Sequence, residues 1–320
     1  MQKKSVTIAM AIYKPNIQWL EEQLISLNNQ TYDNLKWLIW NDFPEDNSNL
    51  ENIVSKLITK FPFKLIQSKK NFGSNGAFAN LTRLVNTDYI AYCDQDDIWL
   101  PEKIEILVKE IQNNNADLIC SDMYVIDSNS NIIANQIKVV RPRYVFYEQE
   151  EGFIGALVHN WVTGCTSLIK TDIAKRALPF PEEFVHDAWL AMYVSAYGKI
   201  KNLKIPLIKY RIHGTNQTTV LIGINTKKDY FEKRILGFEK KVNIAKKVFI
   251  ELNYQRKLNK LSNFIAKRNN YYNNPNFKSF YELLKLRYIH RPTVFFELCL
   301  PFMPEFIFRF LVKQIRKGRI

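Results

Sequence analysis

The first polar-apolar contrast in the chain is the run Val6-Thr-Ile-Ala-Met-Ala-Ile-Tyr13, almost continuously apolar, as in a strand covered on both faces. Ile17, Leu20, Leu24, Ile25 and Leu27 then recur at helical spacing over residues 17–29. A second strand is predicted at Leu35–Trp40, ending in the polar cluster Asn41–Asp46; a helix fits Leu50–Thr59 and a strand Phe63–Gln67. After the loop Asn71–Gly76, with Asn75 as expected cap, a helix runs to about Val85, and the strand Tyr89–Cys93 leads directly into Asp94-Gln95-Asp96-Asp97. Pro101 opens a helix over 101–113 and fixes the preceding carboxylates in a turn. A strand at Asp117–Ser121, a less regular stretch to about 160, an apolar helix from His186 and a late strand Leu203–Tyr210 follow. The alternation predicts an α/β fold: a doubly wound, mostly parallel, Rossmann-like sheet. From residue 223 the pattern is helical, so the domains are expected at 1–222 and 223–320. Ligands of such a sheet bind beyond the strands' carboxyl ends, where Tyr13, Asp42 and Asp94–Asp97 all lie.

Composition narrows the class. The 320 residues are 47% hydrophobic and 24% charged, with 10 Gly and 12 Pro, which excludes a disordered, collagen-like or disulfide-stapled chain. The net charge of +14 is unevenly placed: residues 1–220 hold 23 basic and 24 acidic side chains, residues 221–320 hold 22 and 7. A basic tail on a near-neutral body suggests a polyanionic neighbour, either an anionic membrane surface or nucleic acid. Cys93, Cys120, Cys165 and Cys299 show neither disulfide nor zinc spacing. With no signal-peptide pattern at the start, a cytoplasmic protein is expected, working at the cytoplasmic face of the cell membrane if the tail binds it.

Three carboxylates within four residues repel one another unless a cation or donor groups offset them. Oxygen ligands of this kind suit Mg²⁺ or Mn²⁺, ions that bridge carboxylates to substrate phosphates. Asp187, beside His186 at a helix start, has the chemistry of a general base, or simply that of a first-turn acid favoured by the helix dipole. Arg211 and His213 end the late strand with a phosphate-binding cation and a metal-ligating imidazole. Asn71–Gly76 has neither the Walker Lys-Ser/Thr nor dinucleotide-fingerprint spacing, and there is no Gly-x-Ser-x-Gly or zincin pattern.

In chain order, Val6–Tyr13, Gln30-Thr-Tyr32, Leu38–Asp42, Asn71-Phe-Gly73, Cys93–Pro101, Val162–Thr166, His186-Asp187, Tyr210–His213 and Asn216 resemble glycosyltransferase family 2, in particular its bacterial rhamnosyltransferase-like branch. The resemblance covers residues 5–220 and implies a GT-A fold and inverting transfer from a nucleotide-diphosphate sugar. It implies that Tyr13 and Asp42 contact the donor nucleoside, that Asp94 and Asp96 form the Asp-x-Asp pair with Asp96 and His213 at the metal, that Arg211 meets the leaving diphosphate, and that Asp187 is the catalytic base. The acceptor implied is a glycan or lipid-linked saccharide of bacterial surface polysaccharide or glycoprotein assembly. Two positions depart from the family pattern: the usual Asp-Asp-Gly-Ser turn is Asn41-Asp42-Phe43-Pro44, and the usual Tyr-Asn is Tyr13-Lys14.

Two other readings stand beside this one. A sugar-nucleotide pyrophosphorylase shares the sheet and paired Asp but needs a Gly-rich N-terminal loop, and residues 8–16 contain no Gly. A nucleic-acid-binding protein would use the basic tail and Tyr271-Tyr272 but leaves the acidic cluster without a role; no nucleic-acid partner is therefore expected. Pro292–Val312 is apolar yet interrupted by Pro301, Pro304, Glu297, Glu305 and Arg309, which predicts a segment lying in a membrane interface rather than crossing it, with Lys313, Arg316, Lys317 and Arg319 facing acidic headgroups. The alternative is that Phe295, Phe296, Phe302, Phe306 and Phe310 pack within the appendage or in a homodimer.

Overall fold

In the computed structural model, which describes residues 3–45, 49–142, 144–147, 149–213, 221 and 223–316, nine strands join one sheet. They are β1 (Val6–Ile12), β2 (Leu35–Asn41), β3 (Phe63–Gln67), β4 (Tyr89–Cys93), β5 (Ile98–Trp99), β6 (Leu118–Ile126), β7 (Ile132–Ala134), β8 (Ser167–Lys170) and β9 (Ile200–Arg211). Their order is β3-β2-β1-β4-β8-β6-β9-β5, with β7 on β6. β1 is parallel to β2 and β4, and β2 to β3, with Ile12 opposite Asn41 and Met10 opposite Cys93. That register brings the carboxyl ends of β1, β2 and β4 to one rim.

The other half of the sheet is mixed. β8 runs antiparallel to both β4 and β6, and β5 antiparallel to β9, while β6 and β9 are parallel. The parallel expectation therefore describes the β3-β2-β1-β4 half. Ile98–Trp99, not read as a strand from the sequence, pairs with Lys209 and Ile208. Neither β5, β7 nor β8 exceeds four residues, too few for a side-chain period to show.

The helices of the first unit are α1 (Ile17–Asn28), α2 (Leu50–Leu57), α3 (Gly73–Leu84), α4 (Lys103–Asn113), α5 (Ile137–Val140), α6 (Gln149–His159), α7 (Thr171–Arg176) and α8 (His186–Tyr197). Val6, Ile8, Met10 and Ile12 alternate onto one face of β1, in a core with Leu20, Leu24 and Leu27 of α1, Val54 of α2 and Ile104, Leu107 and Ile111 of α4. On the opposite face Tyr92 meets the rings of Phe78 at 5.5 Å and His186 at 5.2 Å. Two helix starts differ from expectation. α3 begins at Gly73, whose φ of +70° glycine accepts without strain, and Asn75 lies inside the helix, donating Nδ2 to the Pro181 carbonyl at 3.0 Å instead of capping. α4 begins at Lys103, after Pro101, whose carbonyl accepts from Thr31 N.

The chain divides into two compact units, Met1–Gly214 and Thr215–Ile320. The expected boundary at 222/223, and Asn216 of the family pattern, fall in the stretch where residues 214–220 and 222 lie outside the described residues. The second unit contains α9 (Lys227–Tyr230), continued by a π-helical stretch Phe231–Leu236, then α10 (Gly237–Val248), α11 (Leu252–Asn273), α12 (Phe277–Lys285), α13 (Arg291–Cys299) and α14 (Glu305–Arg316). Phe264, Tyr271, Leu283, Val294 and Leu298 form a core among them. Pro292–Val312 is broken by a 3-10 turn at Leu300–Phe302, and among the described residues no helix is long and apolar enough to cross a membrane. Phe296 packs against Tyr230 at 5.4 Å and Phe308 at 6.2 Å, whereas Phe295, Phe302, Phe306 and Phe310 are exposed. Internal packing thus accounts for one of the five phenylalanines. Lys317 and Arg319 lie outside the described residues.

Candidate active site

At the shared rim the chain leaves β1 through Tyr13 and Lys14, β2 through Asp42 and β4 through Asp94. Gln95 ties two of these ends together: its Oε1 accepts from Tyr13 N at 2.7 Å and its Nε2 donates to Tyr13 O at 3.0 Å. The turn after Tyr13 puts Lys14 at φ +44°, a conformation Asn tolerates better than Lys. The Tyr13 ring lies 5.8 Å from Phe43 and the Phe72 ring 5.9 Å from Trp40, each edge-on, and Tyr13 and Phe72 are about two-fifths exposed (39% and 42%). Asp42 is buried beneath them. Its carboxylate accepts from Phe72 N at 3.0 Å and from Trp40 Nε1 at 3.0 Å, so the β2 end builds an aromatic rim on a carboxylate footing.

Beyond β4, Asp96 and His213 meet, with Asp96 Oδ2 2.8 Å from His213 Nε2, and both keep some contact with solvent. The His213 ring also packs, tilted, 4.8 Å from that of Trp19 of α1. Asp97 is buried and Asp94, like Asp96, half-buried. Burial, then the charges of Asp96 and Asp187, push the Asp94 carboxyl up to about 7; burial, then Asp96 and Asp94, hold Asp97 well above the usual carboxylate range. Asp94, Asp97 and the Cys165 thiol offer ligand atoms within 4.8 Å of one another. This trio does not suit magnesium or manganese, because both ions prefer oxygen ligands and burial disfavours the thiolate of the soft sulfur. Beside it lies Lys103, fully buried, donating Nζ to the Cys165 carbonyl and seated on the Trp99 ring. Burial lowers its pKa to about 7 against the pull of neighbouring acids. The donors that fit a hard divalent ion are the more open Asp96 carboxylate and His213 imidazole, with Asp94 beside them.

Arg211 departs from its expected role on a phosphate. Its guanidinium is fully buried, with Nη2 on Glu22 at 2.6 Å, Nε on the Asp96 carbonyl at 2.8 Å, and Nη1 on Ser130 Oγ at 2.9 Å and the Asp127 carbonyl at 3.2 Å. Its backbone N donates to Asp97 Oδ1 at 3.0 Å. A guanidinium so enclosed braces the Asp96–His213 turn from within and is not presented to a ligand.

Asp187 sits in the first turn of α8, its carboxylate oriented by three donors: Asn160 Nδ2 at 3.0 Å and Ala188 N at 2.7 Å on Oδ1, Gly164 N at 3.1 Å on Oδ2. A Cβ on Gly164 would lie 2.7 Å from His186 Nε2, so glycine is what lets this N–H reach Asp187. His186 is buried with Nε2 lacking a hydrogen-bond partner, its pKa lowered by burial. The structure therefore gathers Tyr13, Asp42, Asp94, Asp96, Asp187 and His213 around one rim of the sheet. Glu22, Gln95, Lys103, Asn160 and Cys165 were not singled out from the sequence. Lys103 alone left a signal, since its i, i+4 spacing from Leu107 puts it on the buried face of α4.

The chain is similar to known proteins in sequence and in fold. An uncharacterized glycosyltransferase of Methanocaldococcus jannaschii is 29% identical over 237 residues, 72% of this chain and 78% of that protein. The dTDP-rhamnosyl transferase RfbG of Shigella flexneri is 26% identical over 228 residues, 65% of this chain and 73% of RfbG. The UDP-Glc:alpha-D-GlcNAc-diphosphoundecaprenol beta-1,3-glucosyltransferase WfgD of Escherichia coli is 25% identical over 211 residues, 65% and 77% of the two chains. TarS 1–349 of S. aureus, solved in complex with UDP-GlcNAc, matches the fold with a TM-score of 0.59 at 12% identity, over 98% of this chain and 88% of that one; the shared fold is GT-A. The family described as Glycosyl transferase family 2 matches residues 7–178, which include β1 from Thr7 to its Tyr13 end, the β2 rim and the whole Asp94–Asp97 turn. The chain belongs to that family.

Proposed function

We propose that the protein is an inverting, metal-dependent glycosyltransferase that moves a hexosyl or rhamnosyl group from a pyrimidine nucleoside diphosphate sugar to a hydroxyl of a glycan or lipid-linked acceptor. The observation that carries this reading is the meeting of Asp96 with His213 beside Asp94, with Asp187 near enough for its charge to raise Asp94. The exposed rings of Tyr13 and Phe72 suit a stacked base, above the buried Asp42. Asp96 and His213 would hold Mn²⁺ or Mg²⁺, and that ion, when bound, neutralises charge on the leaving diphosphate. Asp187 takes the proton of the acceptor hydroxyl as the oxygen attacks the anomeric carbon. Its Oδ2, with one donor among the described residues, is the oxygen with room to accept. A single displacement inverts the configuration.

The dTDP-rhamnosyl and UDP-glucosyl activities in the names of RfbG and WfgD, and the UDP-GlcNAc in the TarS structure, support a pyrimidine donor. The diphosphoundecaprenol in the name of WfgD supports a lipid-linked acceptor; such an acceptor would set the reaction at the cytoplasmic face of a bacterial membrane, in surface polysaccharide or glycoprotein glycan assembly. Calorimetry with UDP- and dTDP-sugars tests the reading. Binding is expected with Mn²⁺ or Mg²⁺, lost with excess chelator and lost in Asp96→Ala; unchanged binding under chelation removes the metal from the mechanism.

A further inference from the structure

We propose that the second unit docks on an anionic lipid bilayer through a cleft at the junction of α12 and α13. The cleft is open, about 470 Å³, and lined by Lys285, Arg287, Tyr288 and Arg291. The carboxylate nearest in sequence, Glu282, is held by Lys267 at 2.9 Å. Lys285, Arg287 and Arg291 have no ion-pair partner among the described residues. Three cations line one concavity, and the one carboxylate whose charge reaches them, Glu282 beside Lys285, is already paired with Lys267; the positive excess suits an external anion, and phosphate matches guanidinium bidentately.

The aromatic surroundings select the source of that anion. Lys285 Nζ lies 4.4 Å from the centre of the Tyr281 ring, and Arg291 Cζ lies 5.8 Å from that of Phe295, so two of the cleft's cations each sit beside an exposed aromatic ring. Tyr288 is 75% exposed. Further along the same unit, Phe306 and Phe310 stand one turn apart on the outward face of α14, opposite buried Phe308 and Val312, with Lys313 seven residues after Phe306. Soluble polyphosphate or nucleic acid would satisfy the cations and leave these phenyl rings in water. A bilayer offers phosphates above hydrocarbon and takes both, as for helices that lie in the interface. The inference deepens the reading of a membrane-bound acceptor by naming the docking surface, and rests on that reading for its purpose alone.

The test is cosedimentation of the full-length protein with phosphatidylcholine vesicles, with and without phosphatidylglycerol. Partitioning is expected onto the anionic vesicles. Arg287→Glu/Arg291→Glu should weaken it by about tenfold or more, since each cation near such a surface contributes on the order of a factor of five. The control Lys240→Glu/Lys260→Glu, with the same charge change at exposed positions of the same unit, should retain most of the binding, and Phe306→Ser/Phe310→Ser should lose it without a change in charge. Circular dichroism checks folding, with Arg287→Gln/Arg291→Gln as substitute if the reversal unfolds. Equal losses in the cleft and control variants, full binding by the cleft variant, or oligonucleotide binding tighter than vesicle binding would each overturn the proposal. Donor binding, measured in parallel, separates the two ideas: vesicle binding without donor binding leaves the docking surface standing and removes the transferase reading.

Discussion

Arg211 and Asp187 are both charged residues at element ends, and their surroundings give them opposite tasks. Arg211 is enclosed by Glu22, Ser130 and the carbonyls of Asp96 and Asp127, so its charge is compensated inside the protein. Arg211→Met should leave Glu22 without its cation and lower stability by roughly 2–3 kcal/mol, below the value for a fully buried pair because Glu22 keeps some water contact; denaturant unfolding measures it. Asp187 is held by three hydrogen bonds within the site. Asp187→Asn should keep donor affinity and lose at least about a hundredfold in turnover, the usual scale for removing a general base; wild-type rates in that variant would exclude Asp187 from the chemistry. Both positions stood out in the sequence as charged residues at element ends, but what separates the Arg211 brace from the base proposed for Asp187 is residues far away in sequence, such as Glu22 and Asn160.

At the scale of elements, strand starts need fastening as much as strand ends need ligands. Asp88 precedes β4 and accepts from Lys4 Nζ, Ser5 N and Ser5 Oγ, each at 2.8 Å, tying β4 to the start of β1. Burial alone would raise its pKa, but these hydrogen bonds outweigh that and bring it down to about 2. A folded-state pKa below the unfolded one gives stability that is complete above about pH 4 and lost as pH falls through 2. Asp88→Asn should therefore lower stability at pH 7 by about 1 kcal/mol, allowing for solvent screening of a partly exposed pair. Thermal melts across pH should show the wild type and variant converging toward pH 2. The long periodic elements β1, β2, β4, α1 and α4 could be read from sequence because each carries several repeats of its period. Short β5, β7 and β8 could not, since their strand identity comes from the neighbours they pair with.

At the scale of the whole molecule, the two units carry different charge. The excess of basic residues lies in the last hundred residues, and within the second unit most of them remain at the surface around a small core. One acidic residue is drawn inside. Glu297 is buried and accepts from Arg268 at 2.6, 2.9 and 3.1 Å and from the Tyr230 hydroxyl at 2.9 Å, linking α9, α11 and α13. In the sequence this residue appeared as a charge interrupting an apolar stretch; in the structure it is the hub of the unit. Glu297→Gln should leave Arg268 uncompensated and destabilise the second unit by about 3–5 kcal/mol. Calorimetric unfolding or loss of amide protection across α11 and α13 checks this, and an unchanged melt would show the pair to be dispensable.

The order and period of the apolar residues determined the α/β class, the parallel half of the sheet and the rim at which Tyr13, Asp42 and Asp94 appear, because those features rest on local periodicity and on where polar residues interrupt it. The ordered motifs were enough to point to the family. Tertiary structure alone decided which partners the inward charges meet: Lys103, already on the buried face of α4, beside Asp94 and Asp97, Arg211 behind Asp96, and Glu297 on Arg268 are settled by residues brought together across the fold. Burial is a property of the packed chain, and a buried charge exists only where a distant residue supplies its counterpart.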